Sequence, residues 1–424
     1  MTIAPPGSAA ELLLRYLSRR GPGTGDRGPA TADWNEVANM AVRHGLAPLL
    51  FKRLKQSGAQ AGIPADAWER LRLAYFNSAG RNKRRFRELR TVLGCLRTAG
   101  IPVIVLKGAY LAEAVYGDIA VRPMCDVDLM VPRAEVPRTQ AILLDKGRVD
   151  KHAKDVEWWY RNECHLPAVI IRTLAVEVHW TIIPADAPLS IDTAGIWDRA
   201  CTASVAGVDV LALSLEDLLL HLSLHSACRE GFGGGLRPYT DIAETIRRHG
   251  GAVDWPRVAG LACEWEAARY VGLALHLAKS MLGAEVPDDV LEQLVPEGID
   301  RRILEVARES VLAQTDYRHV VSFMDRWGAM PLRDKPELLW RRIFLSFKAM
   351  AARCAAPQGA GHLSRYYVLR LRDTIRTFAT QFLRRGPATT RIPAQDRNAS
   401  LANWLESSKP VRQAKVKAKA KENP

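Results

Sequence analysis

Two carboxylates one residue apart, Asp126 and Asp128, open an apolar run that extends from Val127 to Val131. Alternation along a strand puts both on one face and turns Val127 into the core. Such a pair suits a hard divalent cation, because Mg²⁺ takes oxygen ligands and completes its shell with substrate phosphates. Upstream, the β-branched run Ile101 to Leu106 delivers Lys107-Gly108 into a turn before a helical stretch, Ala109 to Tyr116. A glycine there lets backbone N–H groups approach phosphate oxygens, and the helix N-terminus favours anions. A third carboxylate, Glu177, alternates with Val176 and Val178 and so shares a sheet face with His179. A charge centred in an apolar strand is costly unless it is paired or binds metal. Glu177 is therefore read as the third ligand, with Glu163 and Asp209 left open as alternatives. An isolated Asp-X-Asp reads equally as a solvated strand edge; the neighbouring Lys-Gly turn is what favours the metal.

Other residues compete for attention. His221 and His225 lie four apart on an apolar helix, a metal-competent spacing, but position 222 is Leu and no HExxH motif results. They are read as packed, hydrogen-bonded histidines that can line a cleft. Asp241 is read as a helix-cap residue after Pro238. The run Gly231 to Gly235 lacks the strand-to-helix context of a dinucleotide fingerprint and is read as a loop. Trp158-Trp159-Tyr160 reads as a packing cluster, with base stacking as the alternative.

The elements that position these residues fall into three blocks and a tail. Residues 1–99 read as an N-terminal helical region: a short helix from 8 to 20, a Gly/Pro-rich loop from Gly21 to Pro29, a helical run from Trp34 to Leu54 broken at His44-Gly45, and a long charged helix from Ala65 to Ala99. The basic cluster Arg81 to Arg90 in that helix reads as a solvated face. Residues 100–212 read as a mixed α/β core. Its strands are Ile101 to Leu106, Val127 to Val131, His165 to Ile171, Ala175 to Ile182 and Val205 to Leu211, with a hairpin at Arg172-Thr173-Leu174. A second helix is expected at Val136 to Lys146. Residues 213–384 read as all-helical. Ser214 caps a helix with Glu216 and Asp217 in its first turn, and further helices are expected at Tyr239–Arg248, Arg257–Gly283, Asp288–Leu294, Asp300–Gln314, Leu338–Arg353 and Arg365–Arg384. Residues 385–424 read as a basic, disordered tail with one helical turn near Leu401 to Leu405.

Composition bounds the class. At 424 residues, 48% hydrophobic and 25% charged, the chain has enough apolar mass for real cores. The net charge of +14 favours polyanionic partners, and from Arg384 onward ten Lys/Arg stand against three Asp/Glu. Seven scattered cysteines form neither a disulfide framework nor a zinc pattern and fit a reducing compartment. No signal peptide and no apolar run of the ~20 residues a membrane span needs is present. The expected location is cytoplasmic.

Taken together, IPVIVLKGAYLAEAVYGD, RPMCDVDLMV, VEVHW and SLEDLLLHLSLHSA resemble a bacterial family of uncharacterised nucleotidyltransferases within the DNA polymerase β-like superfamily. Shorter stretches, DWNEVANMAVRHGLAPLLFKRL upstream and YTDIAE and DWPRV downstream, extend the resemblance across about residues 34 to 260. It implies an α/β nucleotidyltransferase fold, a small mixed sheet with flanking helices, plus N-terminal helices and a C-terminal all-helical domain. It also implies two Mg²⁺ ions on Asp126, Asp128 and Glu177, phosphate contacts from Lys107 and Gly108, and Arg122 neutralising pyrophosphate. The superfamily carries Gly-Ser in the phosphate turn where this chain carries Lys107-Gly108, so a hydroxyl contact is replaced by an ammonium.

The reaction implied moves a nucleoside monophosphate from a nucleoside triphosphate to a hydroxyl of a small molecule, a protein or an RNA end. The alternative readings are a non-catalytic nucleotide-binding protein of the same fold, and a nucleic-acid-binding scaffold that uses the basic surface and tail.

Overall fold

In the computed structural model, residues 8–18, 33–149, 159–160, 163–184, 187, 189–314, 401 and 404–405 are described. The Gly21 to Pro29 loop, Trp158, the two helices expected beyond residue 337 and nearly all of the basic tail lie outside them.

Three helices come first: α1 (Ala9–Leu17), α2 (Trp34–Arg43) and α3 (Ala47–Ser57). Asp33 caps α2 by accepting the Glu36 amide proton at 3.0 Å. The expected break at His44-Gly45 is present, and Gly45 takes φ +68°, the left-handed region in which glycine is favoured. The 34-residue α4 (Ala65–Thr98) follows. Its Leu89, Leu93 and Leu96 pack under the sheet against Val103, Val105, Val127 and Leu129.

The sheet has seven strands in the order β3-β4-β5-β2-β1-β7-β6. They are β1 (Ile104–Val105), β2 (Asp126–Met130), β3 (Arg148–Val149), β4 (Val169–Ile171), β5 (Leu174–His179), β6 (Cys201–Val205) and β7 (Val208–Ala212). β2 runs parallel to β5 and antiparallel to β1, and β1 runs parallel to β7, so the sheet is mixed. Val127, Leu129, Val176 and Val178 are almost fully buried in the core shared with α4. By strand alternation, Asp126, Asp128 and Glu177 occupy the opposite face.

Two expectations need correction here. The segment read as a single strand from Val205 to Leu211 is a hairpin of β6 and β7, turned at Ala206-Gly207, both with positive φ. The helix expected from Arg257 to Gly283 is two helices, α10 (Trp255–Glu264) and α11 (Ala268–Leu282), broken where Glu266 takes φ +59°. β3 had no expected counterpart.

The remaining helices are α5 (Lys107–Tyr110), α6 (Val136–Leu144), α7 (Thr193–Asp198), α8 (Leu215–Leu224), α9 (Arg237–His249), α12 (Asp288–Leu294) and α13 (Arg301–Ala313). α5 continues as a π turn over Leu111–Val115, and α8 continues as another over His225–Arg229. Ser214 caps α8 by accepting from the Asp217 amide at 3.1 Å, while Asp217 is gripped by Arg199 at 2.8 and 2.9 Å. The described residues pack as one compact unit. Among them, no helix is long and apolar enough to cross a membrane.

Candidate functional site

The parallel register of β2 and β5 sets Asp128 opposite Glu177 and Asp126 opposite Ala175. Ligand oxygens of Asp126, Asp128 and Glu177 therefore lie within 4.8 Å of one another. Glu163 and Asp209, the other acids left open, are elsewhere engaged: Glu163 accepts from Arg229 at 2.8 Å, and the exposed Asp209 lies 3.8 Å from Arg97 on the far side of the sheet order.

The Lys107-Gly108 turn is brought to the carboxylates by the backbone. The Leu106 amide donates to the Asp128 carbonyl at 3.0 Å, which fixes the end of β1 against β2. Lys107 Nζ then sits 3.2 Å from Asp128 Oδ2 and 2.7 Å from His225 Nε2. On the other side of Asp128, His179 Nε2 donates to Oδ1 at 3.2 Å. Burial alone would raise the Asp128 pKa, but Lys107 and His179 outweigh it and hold the carboxyl well below its usual range. Asp126 has no such cation of its own. Its burial and the negative charges of Asp128 and Glu177 push its pKa up, against a smaller opposing pull from Lys107. For His179, burial opposes protonation, yet its bond to Asp128 raises its pKa well above the ordinary value.

A second cluster joins His165, Glu177 and His179. Both nitrogens of His165 are already committed, Nδ1 to the Leu166 carbonyl at 2.8 Å and Nε2 to the Arg229 guanidinium at 3.0 Å. A guanidinium can only donate, so His165 Nε2 accepts and Nδ1 carries the proton. The cluster is thus a hydrogen-bonding frame behind Glu177, whose Oε2 lies 3.6 Å from His165 Nδ1.

Arg122 stands differently from its sequence reading. It is buried, and it donates from Nε to Asp241 Oδ1 at 3.0 Å and from Nη2 to Oδ2 at 2.8 Å. Its Nη1 donates to the Gly108 carbonyl at 3.3 Å. Asn82 of α4 donates to the carbonyls of Ile119 and Arg122, and Arg85 donates to that of Met124. The segment leading into β2 is therefore held from both sides. Asp241 is not a cap: α9 begins at Arg237, and Asp241, one turn in, also accepts from Tyr116 Oη at 2.8 Å. Its acidic place in YTDIAE, at helical spacing from Arg237, was the only signal, and nothing in the sequence paired it with Arg122.

His221 is fully packed, but neither ring nitrogen has a hydrogen-bond partner, contrary to the expected satisfied histidine. Burial and the nearby Lys107 charge lower its pKa to about 3, so the ring is neutral. His225 does line the cleft with Asp126 and Asp128. Burial and Lys107 depress its pKa well below the ordinary value. A neutral His225 whose Nε2 accepts from Lys107 aims the ammonium at Asp128. Tyr160, from the aromatic cluster, packs on Trp180 at 4.7 Å between ring centres, with Arg133 over its face.

Three convergent carboxylates, one ammonium and a buried guanidinium bracket a cleft of about 150 Å³. The arrangement is suited to hold a divalent cation and to receive phosphate beside it. No curated protein matches the chain. Among solved structures, antibiotic-resistance factor ANT(2'')-Ia in solution is similar at 15% identity and a TM-score of 0.32, covering 46% of this chain and 97% of that one. The crystal structure of ANT(2'')-Ia in complex with adenylyl-2''-tobramycin is similar at 15% identity and a TM-score of 0.30, covering 42% and 94%. Residues 30–283, more than half of the chain, match the family model described as uncharacterised nucleotidyltransferase. With its mixed sheet, its paired Asp126 and Asp128 and the Lys-Gly turn beside them, the chain belongs to that nucleotidyltransferase family.

Proposed function

We propose that the chain is a magnesium-dependent enzyme that moves a nucleoside monophosphate from a nucleoside triphosphate to a hydroxyl of a small molecule, a protein or an RNA end. The convergence of Asp126, Asp128 and Glu177 on adjacent parallel strands carries this reading. The donor set fits the metal. It is all oxygen, and Asp128 Oδ2, though 3.2 Å from Lys107, is buried and accepts no well-formed hydrogen bond. The raised pKa of Asp126 marks negative charge that the protein leaves uncompensated.

Asp126, Asp128 and Glu177 would hold two Mg²⁺ ions. Bound there, the ions would neutralise phosphate charge and make an acceptor hydroxyl more acidic. The protein supplies the rest. Lys107 adds a fixed cation beside the phosphates, oriented by His225. Arg122, locked on Asp241, holds the Gly108 carbonyl, so the turn meets the nucleotide already ordered. In the transfer, the acceptor oxygen bonds to the α-phosphorus while the bond to the bridging oxygen breaks. Pyrophosphate leaves with that electron pair, and the hydroxyl proton passes to solvent.

Calorimetry of the four ribonucleoside triphosphates, with and without Mg²⁺, tests the reading in wild type and Asp126→Asn. Metal-dependent binding that the variant loses supports it. Absence of triphosphate binding by folded wild-type protein overturns it.

A further inference from the structure

The cations around the cleft are not equivalent. Lys107 is matched by Asp128, and Arg122 by both oxygens of Asp241. Arg237 lines the same cleft and is only partly exposed, yet no carboxylate among the described residues pairs with it. It is also the first residue of the 13-residue α9, with Pro238 beside it. The N-terminus of a helix carries partial positive charge, so a cation there is unfavourable unless an anion joins it. The side chain lies across the turn between α2 and α3. A Cβ on Gly45 would stand 3.3 Å from Arg237 Nη1 and 3.7 Å from its Cδ, so the bare glycine leaves the guanidinium its place.

We propose that Arg237 binds the β- and γ-phosphoryl groups of the nucleotide, the part that departs as pyrophosphate, and that the α2–α3 turn is the wall that sets its direction. This rests on the nucleotidyltransferase reading of the cleft. Arg237 thereby takes the role that the sequence suggested for Arg122, whose fork is already filled. A guanidinium suits the task, since it offers paired donors to phosphate oxygens.

The test is calorimetry in Mg²⁺ with the triphosphate that wild type binds best, its monophosphate, and inorganic pyrophosphate. Arg237→Ala is expected to weaken triphosphate and pyrophosphate binding by roughly ten- to hundredfold, the range for a lost charge-assisted contact. Monophosphate binding should stay within about twofold, because the α-phosphate is held elsewhere. Arg237→Lys keeps the charge, guards against a folding defect, and should fall between the two. Equal weakening of monophosphate and triphosphate, or no weakening at all, overturns the assignment while leaving the enzyme reading intact. Wild-type protein that binds no triphosphate overturns both.

Discussion

Arg122 and Asp241 form a buried, two-pronged ion pair that joins the segment before β2 to helix α9, with oxygens at 3.0 and 2.8 Å from the guanidinium. Removing one partner leaves the other charged and out of water. Asp241→Ala is expected to cost about 3–5 kcal/mol of stability, read by urea denaturation. The double variant Arg122→Met/Asp241→Leu should recover most of that loss, because an apolar pair of similar volume removes the stranded charge. It should not recover nucleotide affinity, since the Gly108 carbonyl then loses its donor. Recovery of both would reduce the pair to a packing device.

The two aspartates of β2 are predicted to respond in opposite directions. Asp128 is stabilised by Lys107 and His179, so Asp128→Asn should lower the melting temperature of metal-free protein. Asp126 is opposed by its neighbours, so Asp126→Asn should leave that temperature unchanged or raise it. Both should abolish stabilisation by added Mg²⁺. Thermal melts with and without the metal separate the cases, and a matched fall in both variants would contradict this account of the charges.

His44 predicts a pH dependence remote from the carboxylates. Its Nδ1 accepts the Leu236 amide at 3.2 Å, and burial, reinforced by Arg43, lowers its pKa from 6.5 to about 4. The folded state therefore binds fewer protons than the unfolded state between those values. Its contribution is complete above pH 6.5 and is lost as the pH falls toward 4. At one pKa unit per about 1.4 kcal/mol the loss is on the order of 3 kcal/mol. His44→Asn keeps an acceptor for Leu236 without the titration. Its unfolding free energy should be flatter across this window than that of wild type, and an unchanged slope would exclude His44 as the source.

The carboxylates were legible because strand alternation is a short-range rule. Asp126-Val127-Asp128 and Val176-Glu177-Val178 each declare a face without knowledge of the neighbours. The break at His44-Gly45 and the Ser214 cap were legible for the same reason, since both are local backbone chemistry. What could not be read depends on contacts across many residues. The partner of Arg122 lies 119 positions away, and the His225 ring that aims Lys107 lies 118 away. The hairpin of β6 and β7 was missed because Ala206, a residue with no turn preference, takes φ +53° there. The π turns were also invisible, because their residues, LAEAV and HSACR, suit an ordinary helix as well.

Those π turns have a consequence for how the chain tolerates changes of length. Each accommodates one residue more than the same stretch of α-helix would, a form common at functional sites. Substitutions within LAEAV leave that surplus in place. Deleting one residue, such as Ala112, would let the segment relax into an unbroken helix and rotate whatever follows by about 100°. Tyr116 would then turn away from Asp241 while local helicity stayed intact. The cleft is therefore expected to be far more sensitive to a single-codon deletion here than to any conservative replacement at the same positions.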